Sequence, residues 1–334
     1  MQIGSLGDLA QSYSMQSRNT ALKTDIQRLT QELASGKISD VRDAMGGNTA
    51  YANDIERHLK KLDGFDLATR EASQLAAGMQ GALSRINDVS TSFRNTLLTS
   101  SNSALGETHS TVISQARGSL EDVISALNTN VGGRSIFAGM ATDTSPIATP
   151  QTLITNLTTA MAGAGNVDDM LTAATAWFDN PAGFGATSYL GSSTSLAPIP
   201  ISDGDTAQLD VRGDSPEIRA VLKNLALVSV ANDPALGLTA AQKTELLVKV
   251  TPDALGANEG IIDLQTTIGF SEGRIESNLV RQSTERSTLE IARNELLAIN
   301  PYETATELEQ VQFQLQSLYA ITSRMSQLSL VNFL

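Results

Sequence analysis

The chain has 334 residues, a formal net charge of −13, 4% aromatic residues, one tryptophan (Trp177) and no cysteine. Without cysteine there are no disulfides, no thiol catalysis and none of the common zinc sites. No face gathers the Lys and Arg that nucleic acids demand, so nucleic acid is not an expected partner. So few aromatics do not furnish one large globular core, whereas the abundance of Ala, Leu, Ser, Thr and Gln suits long helices.

The acidic excess is concentrated in the middle, where residues 143–260 carry thirteen acidic and five basic side chains. Such a segment reads as a solvated surface. The start, Met1 to Asp8, has neither the basic residues nor the apolar stretch of a secretory leader. No run approaches the roughly 18 apolar residues of a membrane span, so no membrane insertion is expected. Export, if it occurs, is expected to use a route without a cleaved signal.

In chain order, the N-terminal arm spaces Leu6, Leu9 and Tyr13 with Gln and Ser. It gains little by folding alone and is expected to order against the C-terminal helix inside an assembly. Leu22, Ile26, Leu29 and Leu33 form a 4-3-4 seam up to a break at Gly46-Gly47. A second seam runs through Leu75, Met79, Ala82, Ile86, Val89, Phe93 and Leu97 to a break at Asn102–Gly106. A third follows Ile113, Ala116, Leu120, Val123 and Leu127. These spacings belong to helices packed lengthwise.

Eight of the nine prolines lie between Pro146 and Pro252, which is expected to keep long helices out of the middle. There, Thr152–Met161, Val167–Trp177, Glu217–Val230 and Ala240–Val250 read as helices. Ser195–Val211 reads as two short strands around an Asp203-Gly204 turn. Ile275, Leu279, Leu289 and Leu296 then give a weaker seam, diluted by Gln282, Arg286 and Arg293. Asn300-Pro301 interrupts the helix, and Leu308, Val311, Leu315, Leu318 and Met325 give the last seam.

After Glu309 the only charged side chain is Arg324. Phe313, Tyr319, Ile321, Leu328, Leu330, Val331, Phe333 and Leu334 fall off the seam, so this helix is apolar on more than one face and needs cover on more than one face. Each exposed Leu or Phe forgoes roughly 1.5–3 kcal/mol of burial. Other copies or other proteins are the expected cover. The expected assembly interface comprises Leu6, Leu9, Tyr13, Leu308, Val311, Leu315, Leu318, Met325, Leu328 and Val331.

The fold class is therefore mainly α: a long antiparallel helical bundle or coiled coil of paired N- and C-terminal segments, with an inserted α+β middle domain. The expected division pairs an assembly arm, 1–45, with 300–334. A helical rod comprises 46–142 and 255–299, and a variable insertion occupies 143–254.

Three segments carry a resemblance. Gly133-Arg134-Ser135-Ile136-Phe137-Ala138-Gly139 resembles the Gly-Arg-x-x-Phe-Ala-Gly element of flagellar hook–filament junction proteins, the third hook-associated protein. Arg28 to Lys37 is similar to a stretch that flagellins and junction proteins share near their N-termini. Met325 to Leu334 is similar to the family's Leu-Ser-Leu-hydrophobic ending. The motif residues are Gly133, Arg134, Phe137, Ala138 and Gly139. The start, Met1-Gln2-Ile3-Gly4, departs from the family's Met-Arg-Ile-Ser.

The resemblance implies a secreted structural adaptor at the hook–filament junction of the bacterial flagellum, with terminal helices in an inner tube and the middle projecting outward. It implies the first hook-associated protein on the hook side, flagellin on the filament side, further copies in a ring, a cytoplasmic chaperone and type III export. Filament flagellin shares the terminal architecture and stays open as a reading, although the Gly133–Gly139 element favours the junction. A surface adhesin or an enzyme displayed on the scaffold would need a pocket or binding patch within 143–260.

The residues carry no catalytic pattern, and no cofactor is expected. His58 and His109 lie on separate helices, where a lone histidine is usually a surface residue. Ser35-Gly36-Lys37 lacks the glycines of a phosphate loop, and no Gly-x-Ser-x-Gly elbow occurs. Asp203-Gly204-Asp205 lacks the oxygen ladder of a calcium loop. Arg212-Gly213-Asp214 reads as a turn before a helix rather than an adhesion motif.

Overall fold

The computed structural model describes the backbone of residues 3–44, 49–101 and 106–331. The expected Gly46-Gly47 break and most of the Asn102–Gly106 break lie outside the described residues. Helices dominate: α1 (Ile3–Ser35), α2 (Val41–Ala44), α3 (Ala50–Ser101) and α4 (Gly106–Leu127) precede a short hairpin, β1 (Asn130–Val131) and β2 (Arg134–Ser135). Then come α5 (Pro150–Ala160), α6 (Val167–Asp179), α7 (Phe184–Thr187), a second hairpin of β3 (Ile199–Ser202) and β4 (Asp205–Ala207), and α8 (Pro216–Ser229). The chain ends with α9 (Ala240–Leu297) and α10 (Pro301–Val331). Both hairpins are antiparallel. The β3–β4 turn falls at Asp203-Gly204, with Gly204 at φ +74°.

The chain divides into two compact units, one of Met1–Leu62 with Ser283–Leu334 and one of Asp63–Gln282. In the first, α1 lies antiparallel to α10: Arg28 reaches Glu307 (3.9 Å), Thr322 donates to the Met15 sulfur (4.0 Å) and Gln11 to that of Met325 (3.8 Å). The polar N-terminal arm is thus helical along α10 within a single chain. Among the described residues, the α1–α10 pair buries Leu22, Leu29 and Val311, with Ile26, Leu308, Leu315 and Leu318 partly buried.

In the second unit the second and third seams go to the core as their spacing demands. Leu75, Met79, Ala82, Ile86, Phe93 and Leu97 of α3, and Ile113, Ala116, Leu120, Val123 and Leu127 of α4, are all buried. Side-chain bonds from Arg85 to Asp122 (3.0 Å) and from Thr91 to Asn258 (3.0 Å) link α3 to both α4 and α9. The segment 143–254 has no core of its own. Leu153, Leu157, Met170, Phe178, Leu222 and Leu225 join the cluster formed by α3 and α4.

The middle nevertheless begins a long helix. Pro252 lies inside α9. Its missing N–H leaves the carbonyl of Val248 without its helical donor, but Val248 is itself exposed, so water can satisfy that oxygen. A proline on the wet face of a helix is tolerated, and the expectation of only short helices here fails for that reason.

Gln282 does not dilute a seam. It is buried, and its Nε2 donates to the hydroxyl of Thr69 (3.2 Å) and the carbonyl of Ile201 (2.5 Å). Asp205 accepts from Asn278 (2.9 Å) and Arg274, and Ser271 donates to the Gln208 carbonyl (2.7 Å). One polar face of α9 therefore clasps the β3–β4 hairpin. Asn278 first and Arg274 second hold the Asp205 carboxyl below its usual range. His58 is exposed as expected, whereas His109 is buried against that expectation, lying one turn inside α4 on the side of its seam.

Candidate functional site

The stretch from Arg28 to Lys37 forms the corner where α1 meets the α9–α10 junction. Leu29 is buried in the α1–α10 pair, and Arg28 pairs with Glu32 (3.2 Å). Glu32 is itself buried, and its carboxylate accepts from the backbone of Ser39 (2.9 Å). Gly36 ends α1 in the left-handed region, φ +70°, with its N–H donating to the carbonyl of Glu32 (2.7 Å). The chain then forms an antiparallel bridge between Lys37 and Ala298, with Ile38 donating to Leu297 and Ile299 to Gly36. Across the corner, Asn300 accepts from the N–H groups of Tyr302 and Glu303 at the start of α10.

The expected interface residues separate into two groups. Leu308, Val311, Leu315 and Leu318 face α1 inside the chain, and Met325 is half-buried beside Gln11. Tyr13 is exposed. The side chains of Leu6, Leu9, Leu328 and Val331 lie outside the described residues. The uncovered apolar surface of α10 is carried instead by Phe313 (70% exposed), Tyr319 (46%) and Ile321 (51%). A helix that pairs with α1 by one stripe leaves its off-seam positions to solvent. That signal was present in the sequence as an absence of charge after Glu309.

The Gly133–Gly139 element does different work, inside the second unit. Gly132 (φ +59°) and Gly133 (φ +83°) make the β1–β2 turn, and Arg134 pairs with Glu71 on α3. Phe137 and Ala138 are fully buried. Their backbone is threaded between two others: Ser192 donates to Ala138 O (2.8 Å), Gly213 to Phe137 O (2.8 Å) and Met140 to Thr194 O (3.1 Å). Gly139, at φ +59°, has no room for a side chain, since a Cβ would stand 2.4 Å from the carbonyl oxygen of Thr194. The hydroxyl of Tyr189 donates into the same knot, to Ser192 O (3.1 Å). Burial, then the charge of Asp214, pushes its pKa up to about 12 against a smaller opposing effect of Arg212. Arg212 holds Asp214 in a two-toothed pair (2.7 and 3.2 Å) and donates to Ser193 O (2.8 Å). The motif thus fastens segments 189–194 and 212–213 to the helical body, and Arg212-Gly213-Asp214 is part of that fastening.

Among the described residues no group of three or more His, Asp or Glu side chains could hold a metal ion, and no helix is long and apolar enough to cross a membrane.

A terminal helix pair and a helical body that carries the middle segment with its two small hairpins make this a mainly α protein. Models of the bacterial flagellin N-terminal and C-terminal helical regions match residues 8–142 and 254–334. The chain belongs to this flagellin family, and it is a structural component of the bacterial flagellum.

Among solved structures, the chain is similar to FlgL of Bacillus cereus, with a TM-score of 0.53 and 14% identity over 72% of this chain and 99% of that one. It is also similar to a chain from Vibrio parahaemolyticus described as a flagellar hook-associated protein, with a TM-score of 0.48 and 12% identity over 72% of this chain and 94% of that one. No curated protein matches it.

Proposed function

We propose that this protein is the adaptor that joins the flagellar hook to the flagellin filament, a structural part without enzymatic activity. The observation that carries the reading is the set of exposed apolar residues Phe313, Tyr319 and Ile321 on α10. A helix already paired through Val311 still leaves apolar side chains uncovered on its other sides, and burying them stabilises whatever covers them. Copies of the same chain in a ring supply that cover on the sides. The first hook-associated protein and flagellin meet the two ends, and the insertion projects outward. The protein reaches this place by type III export with a cytoplasmic chaperone, and is extracellular once assembled.

The resemblance of Gly133–Gly139 to the junction element favours this over filament flagellin, which is the alternative. The flagellin domains alone are compatible with either. Purified protein added to filament-less hooks that carry the first hook-associated protein should bind and then accept flagellin. Polymerisation of the purified protein by itself into long filaments would favour the alternative.

A further inference from the structure

The second unit holds an open cleft of about 630 Å³, a size usual for small-molecule sites. It lies between the α6–α7 connection, the 189–193 segment and the start of α8. Trp177, Phe178 and Phe184, with ring centroids 4.9–5.9 Å apart, make a rigid aromatic base beside it. Pro181 and Pro216 give apolar wall. The polar groups around it are Arg212, Arg219, Asp179, Asp214 and Asn180.

Arg219 reaches in from α8. Its Nη1 donates to Phe178 O (2.6 Å) and to Asp179 (3.0 Å). Its Nε is buried with no partner among the described residues. Asn180 spends its Oδ1 on the amide of Ala182 (2.9 Å), which leaves the Nδ2 hydrogens for an acceptor. The Arg219 Nε is closed to solvent, so a ligand in the cleft meets this side chain through the terminal nitrogens of its guanidinium.

The charges decide what the cleft can take. Two guanidinium groups face two carboxylates, so the cleft is electrically balanced. An anion would compete with Asp179 and Asp214 for arginines that already have their counter-charge. A wholly apolar ligand would strand the polar side chains. A hydroxyl group both accepts and donates, so a hydroxyl-rich neutral ligand can accept from the terminal guanidinium nitrogens of Arg219 and from Asn180 Nδ2 while donating to Asp179 and Asp214. Its C–H face rests on proline. We infer that this cleft is a binding site for a neutral saccharide of one or two rings. The site is separate from the assembly surface and does not depend on the junction reading.

The test is saturation-transfer NMR on the full chain with glucose, galactose, mannose and N-acetylglucosamine, beside glucuronate and N-acetylneuraminate. Each is used at about 50 mM, where even millimolar affinity is visible. At least one neutral sugar should show transfer. Its affinity should fall about tenfold in Asn180→Ala, at an exposed position, and likewise in Arg219→Gln, with circular dichroism confirming that each variant is folded. Three results would overturn the inference: no transfer to any neutral sugar, transfer to the acidic sugars alone, or binding that both substitutions leave unchanged.

Discussion

The carbonyl oxygen of Thr194 stands 2.4 Å from where a side chain on Gly139 would begin. That single approach explains why the element ends in glycine, and it yields the first prediction. Gly139→Ala meets both the left-handed backbone, φ +59°, and a fixed carbonyl, and should cost about 3 kcal/mol. Gly133→Ala, at φ +83° but in open space, should cost about 1 kcal/mol. Thermal unfolding followed by circular dichroism separates the two. Equal losses would mean that the close approach does not hold the segment.

Tyr189 makes the same clamp pH-dependent. Its folded-state pKa of about 12 lies above the ordinary value of 10, so the folded chain keeps this proton longer than the unfolded one. The stabilisation is complete below about pH 10 and is lost as pH rises toward 12, with a magnitude on the order of 2 kcal/mol. Denaturant melts between pH 9 and 12 should show that decline, and Tyr189→Phe should remove this part of it.

Gln282 offers a test of the hairpin clasp. Gln282→Leu fits an apolar side chain into buried space but withdraws the donor from Ile201 O and Thr69. A loss of about 1–3 kcal/mol is expected, with faster amide exchange in Ile199–Ala207. Unchanged protection there would show that the hairpin stands without α9.

How far the sequence speaks depends on where each signal is local. The seams of α3 and α4 are legible because a buried stripe repeats every three or four residues, and every named position except the half-buried Val89 is buried. The break at Asn300-Pro301 is legible for the same reason. Pro252 misleads, because its effect depends on which side of α9 faces water, and that is settled by packing. Gln282 misleads because a polar residue on a seam looks like a weakness until the carbonyl it meets, more than 80 residues earlier, is in place. The Phe137–Gly139 element is readable as a motif. Its role as a knot is not, since its partners at 189–194 and 213 lie far along the chain.

The apolar residues of α10 divide between those that pack on α1 and those left uncovered. Val311 and Leu315 belong to the α1–α10 pair, so Val311→Asp should unfold that pair by placing a carboxylate in an apolar seam, at a cost of about 3 kcal/mol. Phe313→Asp, on the exposed face, should leave monomer stability within about 0.5 kcal/mol and still prevent binding to hooks. Circular dichroism of the monomers and electron microscopy of the hooks report the two effects. If Phe313→Asp binds as the unaltered protein does, this face is not covered in the assembly.

The chain lends itself to labelling because it has no cysteine. A single Asp143→Cys substitution at an exposed position, coupled to a gold or fluorescent maleimide on intact flagella, reports where the protein sits. The junction reading predicts one short band where hook meets filament in every flagellum, and hooks without filaments when the protein is deleted. Label along the whole length of the filament would contradict it and identify the chain as filament flagellin.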